Sequence, residues 1–145
     1  MSQSVETREE EQSDSEEGTR EPDRVMILFM GRNFDHAKTS FQFYSPDAVH
    51  IITSEELRKP YVRRLNTWSK RYGFRRGTVQ SIGDLFEASS ISSLLSCVFR
   101  IVTEEKRLSE DRVATHLWTI GLTGGTMHMA AVATLGSNAL DATAF

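Results

Sequence analysis

The chain has 145 residues, 39% of them apolar and 26% charged, with a formal net charge of −3. That make-up is typical of a one-domain globular protein, and no uninterrupted apolar run approaches the ~20 residues of a membrane-spanning helix, which argues against a bilayer-embedded protein, and no membrane partner is expected. The lone cysteine, Cys97, rules out an internal disulfide, and the acidic start lacks the basic and apolar regions of a secretory signal, so a cytoplasmic setting is expected.

The first 24 residues, MSQSVETREEEQSDSEEGTREPDR, hold nine acids against three Lys or Arg, whereas 25–145 hold eleven against fourteen. One Val and no aromatic residue offer too little apolar surface to offset the entropy of ordering, so 1–24 is expected to be a disordered acidic tail. The remainder is mildly basic, by +3. This balance permits a phosphate-rich partner without requiring one.

At Val25 the composition changes abruptly. VMILFMG is a continuous apolar run of strand length ending in Gly31, the pattern of a strand covered on both faces. GRNFDHAKTSFQFY then reads as a loop. In DAVHIITSEE the β-branched run forms a second strand, and Ser54 with Glu55 and Glu56 resembles a helix N-terminus. Over 55–72, Leu57, Tyr61, Leu65, Trp68 and Tyr72 recur at steps of three or four as one apolar stripe. Pro60 disfavours helix at Lys59, so the regular helix is predicted to begin about there.

GFRRG turns the chain into a short third strand, TVQSI. Gly83-Asp84 opens a second helical stretch, in which Leu85, Ile91, Leu94, Leu95, Val98, Phe99 and Val102 recur with mostly helical spacing as far as Glu105. Cys97, inside LLSCVF, reads as a small buried hydrophobe. HLWTIGL is the fourth strand and TMHMAAVATLGSNAL the third helix. Strands alternating with helices predict a doubly wound, Rossmann-like α/β fold, with a mostly parallel sheet and helices on both faces. The sequence stops at Phe145, where such a sheet normally gains another strand. ATAF is placed to start it, so the sequence reads as a fragment or as a minimal version of the fold.

Open α/β sheets bind ligands outside the carboxyl ends of their strands. Two loops are predicted there: Gly31-Arg32-Asn33 after the first strand and Thr123-Gly124-Gly125-Thr126 after the fourth. Paired glycines permit close approach of the backbone, and free amides at the start of a helix attract anions. With hydroxyls from Thr123 and Thr126 at the same edge, phosphate or ribose is the natural ligand; a plain strand-to-helix turn is the alternative. The patterns G-x-x-x-x-G-K-[ST] and G-x-G-x-x-G are both absent, which removes support for nucleotide hydrolysis and dinucleotide redox chemistry.

His36, His50, His116 and His128 are scattered, with no Cys or carboxylate at ligand spacing, so no metal and no cofactor is expected. His50 and His116 lie near strand starts, away from the predicted ligand edge. No Ser stands in G-x-S-x-G. Residues 58–76 carry eight Lys or Arg and no acid, interleaved with Tyr61, Trp68, Tyr72 and Phe74. That pattern suits nucleic acid, through phosphate neutralisation and stacking, or simply a solvated helix face.

A strand ending in L-T-G-G-T, followed by Met129 and a small-residue helix, resembles the CRISPR-associated Rossmann fold (CARF) family. So does a first strand that runs into a polar loop before a second strand ending in Thr53-Ser54-Glu55. The likeness covers residues 25–145, and TGGT is its most specific part. It implies a homodimer that binds cyclic oligoadenylate, a tetra- or hexa-adenylate ring, across its two-fold axis in a type III CRISPR antiviral response. Members often control an effector, a nuclease or a DNA-binding domain. The ligand contacts so implied are Gly31, Arg32, Asn33, Thr53, Ser54, Thr123, Gly124, Gly125, Thr126 and Met127. Many members have Lys directly after TGGT; here Met127 and His128 follow, so the phosphate-directed ammonium is missing. Some members cleave the ring, and for a ring nuclease Arg32 and His128 are the candidates for charge stabilisation. A nucleic-acid-binding regulator using residues 58–76 is the remaining alternative.

Overall fold

Alternating side chains of the first strand set the layers of the molecule. The computed structural model describes residues 23–83, 89–109, 116–121, 129, 132, 133 and 143–145. Its strands are β1 (Asp23–Phe29), β2 (Ala48–Ser54), β3 (Arg75–Ile82), β4 (His116–Gly121) and β5 (Thr143–Ala144). They form one sheet in the order β3-β2-β1-β4-β5, with every neighbouring pair parallel. Between them lie α1 (Ala37–Tyr44), a 3₁₀ turn (Glu55–Leu57) leading into α2 (Arg58–Tyr72), and α3 (Ser89–Leu108).

Met26, Leu28 and Met30 pack on one face with Ala37 and Phe41 of α1 and with Tyr61 and Leu65 of α2. Val25, Ile27 and Phe29 pack on the other with Leu94, Cys97, Val98 and Ile101 of α3, joined by Met129, Val132 and Ala133. Helices therefore cover both faces, and β1 is apolar throughout because neither face meets water. This is the doubly wound α/β architecture, and residues of ATAF do join the sheet, as β5. No helix of the described residues is long and apolar enough to cross a membrane.

Five details differ from expectation. β1 begins at Asp23, inside the predicted tail. Asp47 is the cause: its carboxylate accepts the Arg24 N–H at 2.8 Å, its own N–H donates to the Arg24 carbonyl at 2.8 Å, and its carbonyl accepts the Arg75 N–H at 2.7 Å. One residue thus extends β1 backwards and starts β3 early, at Arg75 rather than Thr78. The segment predicted as a loop after β1 contains α1, whose Phe41 ring lies 5.0–5.4 Å from those of Trp68, Tyr72 and Phe74. Helix α2 starts at Arg58, not at Pro60, because the 3₁₀ turn feeds straight into it. Pro60 occupies the first turn, where its missing N–H leaves no bond unmade. At the other end Gly73 closes α2 with φ 75° and its N–H on the Ser69 carbonyl at 3.0 Å. Finally, Phe99 of the α3 stripe is 59% exposed, because it sits about 140° around the helix from buried Leu94.

Candidate functional site

The carboxyl ends of β1 and β4 lie side by side, with Leu28 opposite Gly121. From β1 the chain winds outward through β2 to β3, and α3 then carries it back to β4 on the other side of β1. The order reverses between β1 and β4, which is where doubly wound sheets open a crevice at their carboxyl edge.

Three hydrogen bonds tether the β1 side of this crevice. The Met30 N–H donates to the Ile52 carbonyl at 2.9 Å, and the buried Thr53 hydroxyl donates to the Met30 carbonyl at 2.8 Å. The Tyr61 hydroxyl of α2 donates to the Gly31 carbonyl. Burial pushes the Tyr61 phenol up, against the opposing charge of Arg64, so it stays a donor at neutral pH. Phe34 anchors the far end of the loop, with the Arg64 guanidinium 3.4 Å over its ring and Trp68 behind at 6.4 Å.

Of the residues anticipated as ligand contacts, the fold brings Gly31, Arg32, Asn33, Thr53 and Ser54 to one edge. Thr53 is buried, and its hydroxyl is spent on the Met30 carbonyl rather than turned to a ligand. Arg32 is the opposite case: its side chain is 84% exposed and only 3.5 Å contact with exposed Glu56 restrains it. Such a surface pair adds little stability, so the guanidinium is readily given up to an anion. Asn33 uses its side-chain oxygen to accept the Asp35 N–H at 3.0 Å, which shapes the loop. Ser54 is half-buried, and its side chain does not cap the 3₁₀ turn. Thr123, Gly124, Gly125, Thr126, Met127 and His128 lie outside the described residues.

The opposite edge holds a cluster that sequence reasoning missed. The Thr78 N–H donates to His50 Nδ1 at 2.9 Å, so the ring proton resides on Nε2, which donates to Glu105 Oε1 at 2.6 Å. Arg75 Nη2 lies 2.6 Å from each oxygen of the same carboxylate. Burial raises the Glu105 pKa, but the bonds from His50 and Arg75 outweigh it and hold the group down at about 2. The ring fits there only because residue 77 is Gly: a Cβ would stand 2.5 Å from His50 Nδ1 and from the Val49 carbonyl. Both ring nitrogens and both carboxylate oxygens are occupied within the fold, so the cluster is a structural tie between β2, β3 and α3. His116, the other strand-start histidine, lies in β4 beside Trp118, with ring centroids 5.5 Å apart. Among the described residues no three His, Cys, Asp or Glu are grouped to hold a metal ion. Cys97 is buried in the α3 core, and burial raises its thiol pKa, which leaves it unreactive.

The aromatics of 58–76 turn inward. Tyr61 and Phe74 are buried, and Trp68 and Tyr72 pack on the same core, so none offers a stacking platform to a base. The cations remain outside, and among the described residues only Arg75 of the eight has a carboxylate partner. No known family model matches the chain, and no curated protein matches it at a significant level.

Proposed function

We propose that the chain is a cytoplasmic, CARF-like sensor domain that binds a cyclic oligoadenylate at the β1–β4 edge, as a homodimer, in a type III CRISPR antiviral response. The observation that supports this reading best is the reversal of strand order between β1 and β4, which makes the carboxyl ends of those two strands the walls of one crevice. On the β1 side the tethered carbonyls of Met30 and Gly31 hold the loop, and exposed Arg32 supplies positive charge for a phosphate. Asn33 and Ser54 add polar groups at the same edge. The resemblance assigns the opposite wall to Thr123 through Met127. Ligand alters the dimer, or an effector partner, only to the degree that it binds two states unequally.

Calorimetric titration of the full chain with cyclic tetra- and hexa-adenylate tests the proposal. One ring is expected to bind. Arg32→Ala is expected to weaken it about tenfold, the loss of one charge-assisted hydrogen bond, and Gly125→Asp to abolish binding. A folded chain that binds neither ring overturns the reading. Chromatography of the same mixtures decides between a sensor and a ring nuclease: linear products that vanish in Arg32→Ala or His128→Ala define the enzyme. The nucleic-acid reading keeps only its phosphate half, since the cations of α2 other than Arg64 are exposed while its aromatics are not.

A further inference from the structure

We infer that the acidic segment 1–22 docks on the outer face of α2 in its own chain and screens that face from other polyanions. Lys59, Arg63 and Lys70 stand on one line of the helix, opposite the stripe of Tyr61, Leu65, Trp68 and Tyr72 that faces the core. The line is roughly 16 Å long at 1.5 Å per residue. Arg76 of β3 joins it through Asn66, whose side-chain oxygen accepts from the guanidinium at 3.3 Å. These four cations are exposed, and among the described residues none has a carboxylate partner.

Charge and placement point to the occupant. Residues 1–22 contain eight Asp or Glu and two Arg, while 58–76 contains eight Lys or Arg and no acid. The segment joins the fold at Asp23, on the edge where α2 ends. Asp23 and Arg75 line one small cavity there, and Asp47 bonds the backbone of Arg24 and of Arg75. Extended, 22 residues reach about 70 Å, several times the length of α2. Covalent attachment supplies a local concentration in the millimolar range, far above that of a free polyanion. The attraction is between solvent-exposed charges, so salt weakens it over a Debye length of about 8 Å at physiological ionic strength.

The test is zero-length carbodiimide coupling of carboxylates to amines in the intact full-length protein at low salt, mapped by mass spectrometry. The sequence contains four lysines, of which Lys59 and Lys70 lie on α2 while Lys38 and Lys106 lie on α1 and α3. Cross-links are expected from Glu9, Glu10, Glu11, Glu16 and Glu17 to Lys59 and Lys70. They are expected within single chains of an isotopically mixed sample, and to fall at least fivefold in 0.5 M salt. The variant with those five Glu replaced by Gln is expected to bind a labelled twenty-nucleotide DNA strand about tenfold tighter than the parent at low salt. Tail links spread evenly over all four lysines, or found only between chains, overturn the inference, as does unchanged DNA binding by the variant.

Discussion

Glu105 is a carboxylate with 1% exposure that stays ionised because donors from two strands meet on it. Its pKa of about 2 lies below the usual range near 4.3, so the folded state binds its proton less readily than the unfolded chain does. The stabilisation is therefore fully present above the unfolded value and is lost as pH falls from about 4.3 toward 2. It amounts to on the order of 3 kcal/mol. Urea titrations at pH 7 and pH 3 are expected to show a large loss for the parent and a much smaller one for Glu105→Ala. The variant itself is about 3 kcal/mol less stable at pH 7, because His50 Nε2–H and Arg75 lose their acceptor. Equal losses in both proteins would show that other groups dominate acid unfolding. Gly77→Ala is expected to be destabilising by about 1–3 kcal/mol, since its Cβ meets the His50 ring and a backbone carbonyl. None of this was legible in the sequence. His50 and Glu105 are 55 residues apart, and neither sits in a local pattern that announces a partner.

At the scale of elements, long apolar runs were readable because their chemistry is local. VMILFM reads as a strand covered on both faces and VHIIT as a β-branched strand, and α2 showed its stripe in full. Helix α1 escaped because its eight residues put only Ala37, Ser40, Phe41 and Tyr44 toward the core, two of them small. Its place is set by tertiary packing of Phe41 among rings from α2 and from Phe74, which a short window does not contain. The loop of the candidate site was half legible for the same reason. Its position at the end of β1 follows from the strand, while its anchors, Tyr61 and Arg64, come from α2 thirty residues on. Tyr61→Phe keeps the packing and removes the bond to the Gly31 carbonyl. We expect a stability loss of about 1 kcal/mol and faster hydrogen exchange at residues 31–36, with β1 unchanged. Exchange accelerated equally in β1 would place the hydroxyl's effect on the whole fold instead.

For the molecule as a whole, the strand order makes β1 the centre of a parallel sheet, with neighbours on both edges and helices on both faces. Its amides open only when the fold does, whereas β3 lies at an edge with half-buried side chains. Native-state exchange is thus expected to be slowest across Val25–Phe29 and markedly faster on the outer side of β3. Comparable protection of β3 would require something to cover that edge. Doubly wound topology was legible from the alternation of strands and helices alone. The early starts of β1 and β3 were not, since both depend on Asp47, the residue just before the strand between them.

The tethers at the carboxyl edge grip carbonyl oxygens, those of Met30 and Gly31, rather than side chains. A carbonyl is the same atom whatever residue carries it. Position 32 is thereby released from any duty to hold the loop's stem, while at position 33 a side chain that accepts the Asp35 N–H is all the loop asks for, and the domain resembles a vice with exchangeable jaws. Over generations of mutation such a frame can change what it recognises while its inheritance of shape is left intact, and a library randomised at position 32 and restricted to such acceptors at position 33 would keep its folded members.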